Sequence, residues 1–408
     1  MTRALPPITS VPHGRAALGG EPLVFHCNYY NYFLQKTLLL DESLGMEQVI
    51  HDAAAASAYA LLTGAAEAAG AVSPQARRRL AQDVFAELGF GLLDLEGCRG
   101  PGDRARVPLS HYGTALRLAA GAPFRNPQSY FDAGYVAAAA AFVEGVAADS
   151  LEGRIERCQA LGAPVGVVRL AERSGGALPS SPGVGLHGAA PMPIAASNVD
   201  EPAILGALAG LDFAGNEEGL IPRFGVLLTR HFANFYDRVS FELLHRMEGS
   251  DLGEAAEALL TEAGLRCAFH TFGGIMTSAE WDAVVRPYCR TPQDWVHGMV
   301  AVVNVLGWGT WRVRELVPGE RLVVRIHDDY EAAGYVPMYG PTSRPVSFLA
   351  LGAVAGLMNL VYVGAIADRP PLDLTAYVQM FEARDRFTSK VLCSMANGDA
   401  YTEIVAER

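Results

Sequence analysis

Apolar residues recur at helical spacing through residues 75–87 (QARRRLAQDVFAE) and again through 294–305 (DWVHGMVAVVNV). Such a repeat predicts an amphipathic helix with one face on a core. Each stretch runs into paired glycines, Leu88-Gly89-Phe90-Gly91 in the first case and Leu306-Gly307-Trp308-Gly309 in the second. The residues beyond each glycine pair read as strand: LLDLEG after the first, TWRVRELVPGERLVVRI after the second, where Pro318-Gly319 supplies a hairpin turn. The run Ser347–Ala367 is apolar and almost long enough to span a bilayer. It contains Asn359 and the small residues Gly352, Ala355 and Gly356, so a closely packed buried helix is the expectation.

The pattern therefore occurs twice. Tyr112-Gly113 pairs with Tyr339-Gly340, and Ser129 through Gly134 pairs with Ser347 through Gly352 before a small-residue helix. Each half closes on a cysteine-bearing run, at Cys158 and at Cys393, and His26-Cys27-Asn28 stands where His231-Phe232-Ala233 falls. Five matches in one order, at offsets between 205 and 235 residues, indicate an internal duplication. The expected division is a tail over 1–20, a first domain over 21–172, a Gly/Pro/Ser-rich linker over 173–204 and a second domain over 205–408. A solvated linker is the plainer reading of 173–204, and a cover for a pocket is the alternative.

Composition narrows the function. Half of the 408 residues are hydrophobic and 19% are charged, enough for two cores. A net charge of −12 argues against nucleic acid and against an anionic membrane surface. The first residues lack the continuous apolar core of a signal peptide, and the six cysteines contain no CxxC pair, so a cytoplasmic protein with reduced thiols is expected.

The second half, through LGWGTW with its hairpin, SFLALGAVAGL and VLCSMANGD, resembles the 4-vinyl-reductase-like or hydrocarbon-binding domain; Leu88 to Glu172 resembles it more weakly. That family shares a fold with Bet3-type tethering subunits and includes sensor domains of phenol-responsive activators. The resemblance implies an α+β fold class, two tandem Bet3-like domains with helices on an antiparallel sheet, each enclosing an apolar pocket, and often a homodimer. It also implies a zinc site in sensor-type members. At those positions this chain has Ser129 and Ser347, Ile155 and Lys390, and Gly166 and Tyr401, leaving one cysteine per copy. One thiolate does not hold a tetrahedral zinc, so the family's zinc is expected to be absent, and no motif specifies another cofactor or metal.

Candidate chemistry concentrates in the first half. Phe25–Phe33 (FHCNYYNYF) packs five aromatics, two Asn, one His and one Cys into nine residues. On a helix, His26, Tyr29, Tyr30 and Phe33 would share one face, with Cys27 and Asn31 adjoining. His26, Cys27 and His111 are the candidate catalytic groups, since a cysteine meeting a histidine forms a thiolate–imidazolium pair. Asn28, Tyr29, Tyr30, Phe33, Tyr112, Arg125 and Asp132 are the candidate substrate contacts. The plainer reading is an amphipathic core helix with satisfied tyrosines. In the second half, Cys267…His270…Gly274 reads as a loop, and His327-Asp328-Asp329 as a solvated charged turn rather than a metal cluster. The expectation is a small-molecule enzyme acting on an apolar or aromatic substrate in the first domain's pocket; a hydrophobic-ligand carrier and an assembly module are the alternatives.

Overall fold

The computed structural model describes residues 5–10, 15–183, 195–248 and 253–408. It is α+β, and its described residues contain three antiparallel sheets. Two of them repeat one plan. In the first half, strand β1 (Glu21–Cys27) leads to helices α1 (Asn28–Leu38), α2 (Met46–Ala69) and α3 (Pro74–Glu87). Strands β2 (Gly91–Asp94) and β3 (Arg104–Ser110), helix α4 (Tyr130–Glu144), and strands β4 (Leu151–Arg157) and β5 (Gly166–Glu172) complete it. The second half repeats the order with β6 (Val226–Phe232), α5 (Ala233–Met247), α6 (Gly253–Cys267) and α7 (Pro292–Val303). It closes with β7 (Thr310–Val317), β8 (Arg321–His327), α8 (Tyr330–Tyr339), α9 (Phe348–Met358), β9 (Thr388–Cys393) and β10 (Thr402–Glu407). The sheets run β2-β3-β5-β4 and β7-β8-β10-β9.

Local chemistry sets these elements. Ser73 caps α3 ahead of Pro74, and Thr291 and Asp294 form a capping box on α7. Gly319, at φ +73°, makes the hairpin turn between β7 and β8, where Val317 pairs with Arg321. The apolar stretch from Ser347 is helical over Phe348–Met358 and then passes into a separate turn, Asn359–Val363. Among the described residues no helix is long and apolar enough to cross a membrane.

The third sheet joins the halves. β1 and β6 pair antiparallel at its centre, flanked by strands Thr9–Ser10 and Ala16–Leu18 on one side and Ile221–Arg223 on the other. Phe25 lies opposite Arg230, its own counterpart at the offset 230 − 25 = 205 that also relates His26 to His231. A pseudo-twofold axis therefore passes through this pair. Packing is exchanged across the axis: α1 packs on α6, and α5 packs on α2. The exchange is bonded by Phe25 N–H to Leu306 O at 2.8 Å and Arg230 N–H to Leu88 O at 2.9 Å.

Structural equivalence corrects two sequence pairings. Leu306 follows Leu88 by 218 positions, and at that same spacing Tyr112 corresponds to Tyr330, not Tyr339, and His111 to Asp329. Gly162 and Gly398, both left-handed at φ +94° and +95°, differ by 236, which sets Cys158 against Ser394 rather than Cys393. The described ends of the 173–204 segment are docked. Arg173 pairs with Asp52, Ser181 donates to Glu21, Ala195 N–H bonds Val313 O, and Asn198 bonds Asp294. Its remainder, 184–194, lies outside the described residues, as do 1–4 and 11–14 of the tail.

Candidate binding site

Helix α1 begins at Asn28, so His26 and Cys27 are strand residues and not members of a helical face. Successive strand side chains point to opposite faces, and the two separate accordingly. The Cys27 sulfur accepts from Thr271 Oγ1 at 2.8 Å and from Tyr30 N–H at 3.4 Å, capping α1. Burial pushes its thiol up from the ordinary value. The expected thiolate–imidazolium pair is not formed: Cys27 is engaged by Thr271, and His111 by Asn31.

His26 instead enters an aromatic box built by both halves. Its ring lies 4.2 Å from Tyr30, stacked, 4.5 Å from Tyr236, edge-on, 5.3 Å from Trp308, and 6.1 Å from Tyr330. Trp308 is held by its indole N–H on Phe25 O at 2.9 Å. His26 is 0% exposed, and neither ring nitrogen has a hydrogen-bond partner. Desolvation drives its pKa well down, so the ring is neutral. Burial likewise pushes Tyr30, Tyr236 and Tyr330 well up, which keeps them as phenols.

The pseudo-twofold places His231 in a sister box of Phe90, Phe131, Phe235 and Tyr236, at ring distances of 4.9, 4.6, 4.6 and 4.6 Å. Here the imidazole is satisfied. Nε2 lies 2.9 Å from the Tyr112 hydroxyl, and Nδ1 lies 3.4 Å from Phe232 O. Between the boxes, Asn31 Nδ2 lies 3.0 Å from His111 Nε2 and 3.4 Å from Thr229 Oγ1, while its Oδ1 accepts from Tyr236. Burial pushes His111 down to about 3, so it is neutral as well.

The other candidates disperse. Asn28 bridges Ala115 O and Leu227 N–H, a structural tie between the halves. Tyr29 and Phe33 are half-buried and stack on His270 at 4.0 and 5.9 Å, outside the His26 box. Arg125 is exposed and belongs to neither box. Asp132 is buried, accepts from Ser110 Oγ and is pushed up to about 7 by desolvation. The His327-Asp328-Asp329 turn is not solvated, because both carboxylates have buried partners. Asp328 forms a two-point ion pair with Arg15, and Asp329 accepts from Ser347 and Thr402. Among the described residues no three His, Cys, Asp or Glu side chains are grouped to hold a metal.

Sequence reasoning missed Tyr236, Trp308 and Tyr330, because it placed the candidate chemistry in the first half. The repeated LGFG and LGWG motifs were the available signal, since both mark a ring that faces an inserted histidine.

No family model matches this chain, and no curated protein matches it. A solved structure that it resembles is the phenol-responsive sensory domain of the transcription activator PoxR with phenol. That likeness has 14% identity and a TM-score of 0.37, covering 50% of this chain and 88% of that one.

Proposed function

We propose that the chain is a binding protein for one neutral, flat small molecule, seated against His26 in the aromatic box that both halves build. The observation that carries this reading is His26 itself, fully buried with both ring nitrogens unpartnered, while its counterpart His231 is satisfied internally. An unmade buried donor or acceptor costs about 1–3 kcal/mol, so such a group calls for an explanation, and a ligand atom supplies one. A neutral imidazole offers one donor and one acceptor. Its complement is a hydroxyl, amine or ring nitrogen on an apolar planar body that stacks against Tyr30 and Trp308.

The electrostatics support binding rather than reaction. His26 and His111 are held neutral, and Tyr30, Tyr236, Tyr330 and Cys27 are held protonated. A nucleophilic cysteine needs its thiolate, which burial of Cys27 disfavours. An ionic ligand would lose a large hydration energy in this box, and a neutral aromatic one far less.

The test is titration of the full chain with 2-naphthol and indole, with cyclohexanol as the non-aromatic control, followed by tryptophan emission and equilibrium dialysis. Saturable one-to-one binding of the aromatic probes is expected. His26→Phe keeps the ring and removes the nitrogens, and should weaken that binding by about ten-fold or more, equivalent to about 1.4 kcal/mol. Aromatic binding unchanged by His26→Phe would overturn the assignment.

A further inference from the structure

The solvent face of the first half's sheet carries a row of arginines that the fold does not require, and we propose that this face docks an acidic, extended segment of another protein. Register fixes the row. Arg104 on β3 stands directly opposite Arg169 on β5, which stands directly opposite Arg154 on β4. All three are exposed. In the next row of the same face, Arg106 and Arg157 lie on either side of Val167, and both are exposed. Five guanidiniums thus share three neighbouring strands, in a chain whose net charge is −12.

Like charges set directly opposite one another destabilise a sheet. The second half shows that the fold accepts a row without them. Arg169 corresponds to Val405 at the spacing that relates Gly162 to Gly398, and the matching row is Lys390, Val405 and Val323. Val405 and Val323 are buried, Lys390 pairs with Glu407, and Arg325 in the next row pairs with Glu403. In the first half the carboxylates fall short. Arg104 donates to both oxygens of Glu156 at 2.6 and 3.0 Å, and Arg154 to Glu152 at 3.2 Å. Arg106, Arg157 and Arg169 form no ion pair among the described residues. Asp94 stands opposite Arg106 but accepts from Glu96 N–H.

The chemistry of the face selects the partner. The residues that separate its arginines, Val167 and Ala171, offer no ring on which a base could stack. A long nucleic acid or an anionic membrane would also lie against the rest of a chain of charge −12 and be repelled by it. A short acidic segment confines its charge to the arginines. Glu156 displays the fit, a carboxylate held by the guanidinium fork of Arg104 across the intervening strand β5. Alternate side chains of an extended segment share one face, at the same two-residue interval that separates Arg104 from Arg106. Carboxylates at every second position therefore match the rows.

The experiment titrates the full chain, at about 50 mM salt, with a fluorescein-labelled peptide of alternating Glu and Thr, read by anisotropy. A Lys-Thr peptide, an oligothymidylate of matching length and vesicles of phosphatidylcholine with phosphatidylserine are titrated beside it. Saturable binding of the Glu-Thr peptide alone is expected, weakening as salt rises. Arg169→Glu seats a carboxylate between Arg104 and Arg154, so it should lower the peptide's affinity about ten-fold or more while leaving the melting temperature at or above that of wild type. Arg169→Val, which installs the residue of the second half, should weaken the peptide in the same direction with no loss of melting temperature. Absence of peptide binding, equal affinity in wild type and Arg169→Glu, or tighter binding of the oligothymidylate or the vesicles would each overturn the proposal. A melting temperature lowered by both variants would overturn it as well, since Arg169 would then serve the fold.

Discussion

Tyr236 donates its hydroxyl proton to Asn31 Oδ1 at 2.6 Å, and the two residues hold equivalent places in the two halves, since 236 − 31 = 205. Counterparts meet in this way only near the pseudo-twofold axis, so the bond is a polar pin between the copies. It also orders what lies on either side. Tyr236 is an edge-on wall of the His26 box and touches the His231 ring, and Asn31 carries His111.

Removing the pin exposes its worth. Asn31→Leu leaves the Tyr236 hydroxyl and His111 Nε2 without their partner, and an unmade buried group costs about 1–3 kcal/mol. Asn31→Leu should therefore cost about 2–4 kcal/mol in urea unfolding, and Tyr236→Phe about 1 kcal/mol. The double variant should lose less than the sum, because the second change removes a group that the first had stranded. Strict additivity would show that the two side chains do not depend on one another.

Gly307 tests the exchanged packing. Its φ is +81°, and a Cβ added there would stand 2.6 Å from Leu23 O, on the strand whose Phe25 N–H bonds Leu306 O. Gly307→Ala should lose about 2–4 kcal/mol, combining left-handed strain with a backbone clash that no side-chain motion relieves. Gly97 is also left-handed, at φ +73°, but has nothing within 4 Å, so Gly97→Ala should lose about 1 kcal/mol. Equal losses at the two positions, measured by denaturant midpoint, would contradict the seam.

How much of this could be read from the chain depends on what each feature rests upon. The α+β class followed from the family resemblance, the hairpin at Pro318-Gly319 and the helix ahead of each glycine pair from local periodicity and turn chemistry, and the structure contains all of them. The break at Cys27/Asn28 was hidden, because FHCNYYNYF reads as a helix until strand pairing with Thr229 and Leu228 claims its first residues. The site was half visible. His26 and Tyr30 stood out by density, but Trp308, Tyr330 and Tyr236 join them through contacts spanning more than two hundred residues, and no sequence spacing reports those. Pairing Tyr112 with Tyr339 hid the sister box, since the dipeptide match was stronger than the structural counterpart at Tyr330.

The thiols should be slow. Cys27, Cys98, Cys158 and Cys267 are buried, and the half-exposed Cys289 is pushed up to about 12 by desolvation. Burial also raises Cys393. Iodoacetamide at pH 7.5 on the native chain should modify Cys393 and Cys289 first, and Cys27 only on the timescale of unfolding. Peptide mass spectrometry reads the order, and Cys27 modified ahead of Cys393 would restore it as a candidate nucleophile.

Glu21 gives the protein a pH dependence opposite to that of its histidines. It opens strand β1, is buried, and accepts from Ser181 Oγ at 2.9 Å and Asn234 Nδ2 at 3.1 Å. Desolvation outweighs those bonds and pushes its carboxyl from an ordinary 4.5 up to about 8. Between these values the folded chain holds a proton that the unfolded chain has released, so stability falls as pH rises, by about 1.4 kcal/mol per pH unit. His111, pushed down to about 3, acts the other way: its contribution is complete above the ordinary histidine value of 6.5 and is lost below it. The window from pH 6.5 to 8 therefore excludes the histidines, and comparison with a Glu21 variant cancels Asp132, which burial pushes up to about 7. Glu21→Gln keeps an acceptor for Ser181 and Asn234 and removes the titration. Relative to wild type, the variant should gain about 2 kcal/mol across that window, read as a melting-temperature difference that widens with pH. A difference that stays constant from pH 6.5 to 8 would mean that Glu21 ionises normally and that the strand start is open to water.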